Sequence, residues 1–491
     1  MSSAPARGET SSARPPDEDY TPDPRRWRAL TVCLVAGFMT LLDVSIVNVA
    51  LPSIASGLDA GESSLQWIVS GYALTFGLLL VPAGRIGDAR GRRPAFMWGL
   101  GLFTVASVAC GLAPNDGWLI AARLIQGAAG GILTPQVSGL IQQLFRGMER
   151  AKAFGLLGAS IGLSTAVGPL LGGLIIAVFG ADLGWRFVFF VNLPVGVVAL
   201  FLARRLIPHV RATGRRESLD PVGVALLGGA VVCVLLPFIE QQQWGPKRLL
   251  LFPLAALLGA AWVAWEVRYA KRSEPVVDLT LFRERGYALG ASIGLLFFAG
   301  FTGVFFIYTQ YLQDGLHYSA LRAGAAATPF AVGSAFAAAL GGRVVTRYGR
   351  RLVVLGLVLV TLGFLGTYIA AAVVPGANVG WAAAGPLLVA GIGSGFVITP
   401  NVTLTLHEVP VRRAGVAGGV LQTGQRIGSA AGIAVTGSVF YAAVRTSHGN
   451  WALAFRHGLW VITAFTVATL ALALADDVTG DRVPATAAGT A

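Results

Sequence analysis

Apolar residues run along this chain in long blocks instead of alternating or forming one amphipathic stripe. Blocks of about 20 residues are what a helix needs to cross the ~30 Å hydrocarbon core of a bilayer. Fourteen can be drawn, at about 29–51, 66–84, 94–113, 118–140, 153–179, 186–203, 221–239, 249–269, 287–312, 322–345, 352–374, 382–405, 414–444 and 455–475. The pattern therefore predicts an all-α membrane protein with 14 transmembrane helices. Charge-rich interruptions divide it further. A polar tail over 1–28 precedes a six-helix half at 29–203. A basic connector at 204–220 leads to a helix pair at 221–269. A second connector at 270–286 leads to another six-helix half at 287–475, and a small-residue tail closes the chain at 476–491. Both tails read as disordered, and the first lacks the apolar core of a cleavable signal peptide.

Composition supports this reading. The chain is 55% hydrophobic and only 12% charged, with mean hydropathy +0.68. Soluble domains carry roughly 25% charge. A net charge of +13 would suit nucleic acid, but the basic residues cluster between the apolar blocks. With the N-terminus inside, 26 Lys/Arg fall on the cytoplasmic side and six on the outer side. That is the positive-inside asymmetry. It places both termini in the cytoplasm of a plasma (inner) membrane protein and removes nucleic acid as a partner; membrane lipid is the expected surrounding. Arg outnumbers Lys 34 to 3, which reflects codon bias toward GC-rich triplets and not chemistry. Cys33, Cys110 and Cys233 lie apart within apolar blocks and read as small hydrophobes.

Glycine marks a second kind of position. Gly158, Gly162, Gly168 and Gly172 form two pairs spaced four apart, with Pro169 and Gly173 beside them. Small residues at that spacing let helix backbones approach closely. A Gly-Pro step inside a span also weakens the local hydrogen-bond ladder. The stretch predicts a tightly packed, bendable helix between two moving parts. An internal echo agrees. GRIGDARGRRP (Gly84–Pro94) follows the second block of the first half, and GGRVVTRYGRR (Gly341–Arg351) follows the second block of the second half. Two related halves around a midplane site are a transporter architecture.

Few charged residues lie inside the blocks. Asp43 is about two-thirds along the first. A carboxylate at that depth costs ~2.5–3.5 kcal/mol on insertion scales and normally faces a cavity or a partner. It reads either as a proton-coupling site or as a structural Asp bonded to neighbours such as Ser45 or Asn48. Arg123 lies a turn or so into the fourth block. It stays charged at any working pH, so it can attract or stabilise an anion but not carry the proton. Arg426 is deep in the thirteenth block without a nearby carboxylate. Backbone carbonyls, a distant Asp or an anionic ligand group would have to satisfy it. Asn48, Gln126, Gln425 and Arg426 are the candidate polar lining of a substrate cavity. Glu240 to Gln243 with Trp244 read as an interfacial rim, and Asp314, His317 and His407 as span-end residues. Trp67, Phe297, Phe298, Phe305 and Phe306 read as core or lipid-facing. No phosphate-binding loop, catalytic triad or metal-ligand set is present, so no enzyme activity, cofactor or metal is expected.

Five stretches, in order, resemble the major facilitator superfamily, specifically its fourteen-span drug:proton antiporters. LLDVSIVNVALP (Leu41–Pro52) resembles the first-span motif. GRIGDARGRRP resembles the superfamily loop motif, with Ala89 at a usually basic position and Arg90 next to it. RLIQGAAGG (Arg123–Gly131) resembles the fourth-span motif. GPLLGG (Gly168–Gly173) matches the fifth-span antiporter motif, with Ser164 at a position that in its longer form tends to be Gly. WRFVFFVNLPVG (Trp185–Gly196) is similar to the entry to span six. GVLQTGQRIGSAAG (Gly419–Gly432) resembles a span-thirteen stretch with its Gln425–Arg426 order inverted. The resemblance implies a proton-transfer role for Arg123 beside Asp43. It implies a conformational latch at Gly84, Asp88, Gly91, Arg92 and Arg93, and antiport through Gly168, Pro169, Gly172 and Gly173. Blocks ten and thirteen contain no carboxylate, which argues against a strict dication exporter. The expected function is a proton-coupled antiporter exporting hydrophobic drugs, dyes or antibiotics by alternating access. Its partners would be protons and a small hydrophobic substrate. The alternatives are a dedicated exporter of one endogenous metabolite, a proton-coupled importer and a non-transporting membrane sensor.

Overall fold

The computed structural model describes residues 22–208, 220–239 and 245–479, apart from positions 274, 276, 278, 375, 408, 411 and 412. The expected rim at Glu240–Trp244, most of both tails and most of the first connector lie outside the described residues. The described residues form α1 (Arg26–Leu58), α2 (Glu62–Arg90), α3 (Arg92–Gly111), α4 (Asp116–Leu144), α5 (Gly147–Phe190), α6 (Asn192–Leu206), α7 (Pro221–Ile239) and α8 (Leu251–Tyr269). They continue through α9 (Arg285–Gln310), α10 (Ala320–Tyr348), α11 (Arg350–Val373), α12 (Val379–Ala382), α13 (Ala384–Thr405), α14 (Ala414–Thr446) and α15 (Trp451–Thr479).

Among the described residues, 12 helical stretches are long and apolar enough to cross a membrane. Two helices lying between them in sequence are not in that set. One is α4, whose 29 residues include Arg123, Gln126, Gln136 and Gln142. The other is the short apolar α7. Apolar side chains such as Trp98 and Trp381, 79% and 80% exposed, stand on the outside of the bundle, as expected where the surrounding solvent is lipid.

Two details of the Gly158–Gly173 stretch go beyond the expected packed helix. The helix continues through Pro169, and the backbone break comes later, at Gly180 (φ 79°, ψ 164°). Glycine is at home in that left-handed conformation. The two glycine pairs also face different neighbours. Cβ atoms at Gly168 and Gly172 would strike Ser45 and Ile46 of α1, whereas those at Gly158 and Gly162 would strike Thr399 and Ala335 of α13 and α10. So α5 packs within its own half on one face and against the other half on another.

Two seams join the halves. Along α5/α10, Gly155 meets Gly342 at one end and Pro169 meets Gly324 toward the other. Along α2/α14, Gly84 meets Gly415 and Leu80 meets Gly419. These are the second and fifth helices of each half, exchanged. The α7–α8 pair packs only beside the second seam, placing Val231 and Leu235 on Leu74, and Val224 and Leu227 near Val81 and Val416. The second half keeps its own core, built on Phe297, Phe330, Val353 and Phe364. Phe297 and Phe298 belong to an aromatic cluster there with Phe301 and Phe305.

Candidate functional site: a buried carboxylate and guanidinium

Asp43 and Arg123 meet inside the first half. Arg123 Nη1 lies 2.5 Å from Asp43 Oδ2, with the two residues 1% and 0% exposed. Arg123 also donates through Nε to the Ile68 carbonyl (3.1 Å) and through Nη1 to Gln126 Oε1 (2.9 Å). The second carboxylate oxygen accepts from Gln126 Nε2 and Asn192 Nδ2, both at 2.9 Å. Asn192 donates further to Ser107 Oγ, which donates to the Phe189 carbonyl. The guanidinium lies 4.2 Å from the Tyr72 ring centroid. Each helix of the first half contributes a polar side chain or a carbonyl, α5 through the Phe189 carbonyl. Charge-assisted bonding of this kind is strong where water is excluded.

The expected local partners of Asp43 are corrected here. Ser45 Oγ instead donates to the Ser164 carbonyl of α5, and Asn48 is exposed on α1. Gln126 belongs to the carboxylate network and is fully buried. Asn192, Ser107 and Tyr72 were not singled out from sequence. The one signal for Asn192 was an amide inside FFVNLPVG.

The second group is at the end of α2. Asp88 accepts from Arg92 Nη2 at 2.9 Å, its side chain 1% exposed. It also accepts from the backbone N–H groups of Gly415 and Val416, at 3.2 and 3.0 Å. Those amides are at the first turn of α14, in the opposite half, so the carboxylate caps a helix N-terminus across the seam. Arg92 Nη1 also donates to the Gly139 carbonyl of α4, and Arg93 Nη2 to the Arg204 carbonyl of α6. Gly84 is needed for close approach: a Cβ there would stand 2.5 Å from the Gly415 carbonyl oxygen. Gly91 takes φ 103°, which lets α2 turn directly into α3.

In the second half, Arg426 is half-buried with its guanidinium 4.3 Å from the Phe76 ring centroid of α2. Gln425 turns toward Gly294 of α9 instead. Asn48, Gln126, Gln425 and Arg426 are thus dispersed and form no single wall. Among the described residues no group of three or more His, Cys, Asp or Glu could hold a metal ion.

A two-half helical bundle with a buried ion pair in one half and a charge bridge between halves defines the class of multi-pass membrane transporters. The profile of the Major Facilitator Superfamily matches residues 33–433, and the chain belongs to that superfamily. It is 37% identical to a probable actinorhodin transporter of Streptomyces coelicolor over 86% of this chain and 73% of that one. It is 35% identical to the multidrug resistance protein Stp of Mycobacterium tuberculosis over 82% and 74%. The structure of the proton:xylose symporter XylE shares the fold with a TM-score of 0.65 at 14% identity, over 93% of this chain and 96% of that one.

Proposed function

We propose that this chain is a proton-coupled antiporter that exports drugs, dyes or antibiotics across the plasma membrane by alternating access. The observation that carries this is the Asp43–Arg123 pair, sealed from solvent and held by Gln126 and Asn192. Ionised Asp43 neutralises Arg123. Protonated Asp43 leaves a buried cation without its counter-charge, a change worth ~3–5 kcal/mol for buried pairs. A penalty of that size moves a two-state equilibrium by a few hundredfold or more. Proton uptake at Asp43 therefore biases the halves away from the arrangement seen here. Asp88 on the α14 N-terminus is the bridge that closes one end in this arrangement. With the basic loops inside, that end is cytoplasmic, and α4 and α7 cross the membrane as well, giving fourteen spans. Gly168 and Gly172 hold α5 tight to α1, and Pro169 and Gly173 present it to α10. Asn48 and Gln425 serve the substrate path from opposite halves.

The two relatives suggest different breadths of substrate. The multidrug resistance protein favours broad export. The actinorhodin transporter supports a second reading, dedicated export of one endogenous compound. The test is ethidium efflux from cells lacking their own pumps, with and without a protonophore. Efflux is expected to collapse with the protonophore and in Asp43→Asn. Undiminished efflux in Asp43→Asn would refute proton coupling at this residue. Good membrane expression without ethidium efflux would favour the dedicated exporter.

A further inference from the structure

Among the described residues, Arg426 is a charge deep within a helix that neither the coupling network nor the latch uses. Asp43 is held by Arg123, Gln126 and Asn192, and Asp88 by Arg92 and the α14 amides. Arg426 has neither: its guanidinium lies over the Phe76 ring, and no hydrogen-bond acceptor stands on it among the described residues. A cation within a membrane span is expensive and is retained where it meets a cavity or an anion.

Its setting says what it meets. The face of α14 turned toward the first half carries Gly415, Gly419, Gln422 and Arg426, at helical spacing. Opposite them on α2 stand Gly84, Leu80 and Phe76. Gly415 and Gly419 would each place a Cβ within 2.8 Å of α2 backbone. Further along, Gln422 reaches Ser138 of α4 through its side-chain amide (3.4 Å). At Arg426 a long side chain faces a ring. The seam thus widens from a backbone contact at the Asp88 end to a level filled by side chains. There Phe76 and Tyr72, with centroids 5.9 Å apart, separate Arg426 from Arg123.

Resting on the export reading above, we propose that Arg426 binds the anionic group of an aromatic organic acid. A carboxylate or ionised phenol takes the guanidinium's open donors, and the conjugated body packs beside Phe76 and Tyr72 once the halves part, both rings being 2% exposed in the arrangement described. Planar guanidinium groups suit carboxylates through paired donors, and the aromatic side chains supply stacking. The substrate class is therefore organic anions with a conjugated ring system, not uncharged or cationic lipophiles.

The test uses three matched fluorescent probes: anthracene-2-carboxylate, its methyl ester, and 2-(aminomethyl)anthracene. Binding is titrated on the full-length, detergent-purified protein at pH 7.5. The carboxylate should bind at least about tenfold tighter than the ester, as one charge-assisted contact allows. Arg426→Gln should reduce the carboxylate to the ester's affinity, and Arg426→Lys should recover part of the difference. Unchanged thermal melting of both variants shows that the fold is intact. Equal affinity for the three probes, no measurable binding, or a carboxylate preference that survives Arg426→Gln overturns the proposal. Flux of the same probes in proteoliposomes under a pH gradient separates this from the export reading. Carboxylate preference without flux overturns export and leaves the anion site standing. Flux of ester and amine without carboxylate preference does the reverse.

Discussion

The two seams between the halves are built from equivalent helices and yet hold together differently. The α5/α10 seam is a run of small residues: Gly155 on Gly342, Gly158 on Ala338, Gly162 on Ala335 and Pro169 on Gly324. No ion pair crosses it among the described residues. The α2/α14 seam touches backbone to backbone at Gly84 and Gly415 and at Leu80 and Gly419, is bridged by Asp88, and carries Arg426 at its wider level. The α7–α8 pair backs this seam and not the other. The internal echo makes the contrast specific. Three residues before Gly91 stands Asp88, and three before Gly349 stands Thr346, which is exposed. Close glycine contact gives van der Waals attraction that is indifferent to charge. A carboxylate on helix amides responds to electrostatics. The difference teaches that one seam is held by close packing alone and the other also by a charge-assisted bridge.

Five substitutions probe that contrast. The largest loss is expected from crowding either seam where backbones touch. A Cβ at Gly342 would sit 2.5 Å from the Ala151 carbonyl oxygen, and one at Gly415 would sit 2.8 Å from that of Gly84. Gly342→Val and Gly415→Val should each cost at least ~1–3 kcal/mol by overpacking. Transport should fall to background, with a melting temperature several degrees lower. Asp88→Asn should act on one seam only. It keeps an acceptor for the α14 amides but loses the charge, so efflux should fall about tenfold, ~1.4 kcal/mol, at normal expression. Thr346→Asp is expected to leave transport within about twofold, since the site is exposed and water solvates the added charge. The smallest effect belongs to Gly173→Ala. The nearest atom to its added methyl is Leu321 Cβ at 3.8 Å, an ordinary contact, so efflux and melting should match the parent. A severe Gly173→Ala defect would show that the antiporter motif needs backbone freedom there, not space.

Much of this was legible before any coordinates. Long apolar blocks reveal membrane helices because lipid leaves backbone groups no partners except each other. Asp43, Arg123, Asp88 and Arg426 stood out as charges in or beside apolar surroundings. Their partners did not. Asn192 reaches Asp43 from 149 positions away, and Ser107 and Tyr72 are ordinary residues for a span. Such pairings depend on which helix faces place residues together, and no local period records that. The weakened ladder at Gly168–Pro169 stays helical for a related reason. Packing on α1 and α10 keeps that stretch helical, and Gly180, with nothing close around it, takes the break instead. α4 shows the cost of a purely hydropathic reading. Its Arg123 and Gln126 dilute its apolarity because they form the network.

The central claim is that the charge on Asp43 controls the α2/α14 seam. The direct measurement is the distance between spin labels at Arg90 and Tyr348, exposed positions at the basic-loop end of opposite halves, by double electron–electron resonance on the parent and on Asp43→Asn at pH 7.5. The parent should give a short distance distribution, and Asp43→Asn, which removes the counter-charge of Arg123, a longer one. Identical distributions in the two proteins would contradict the account.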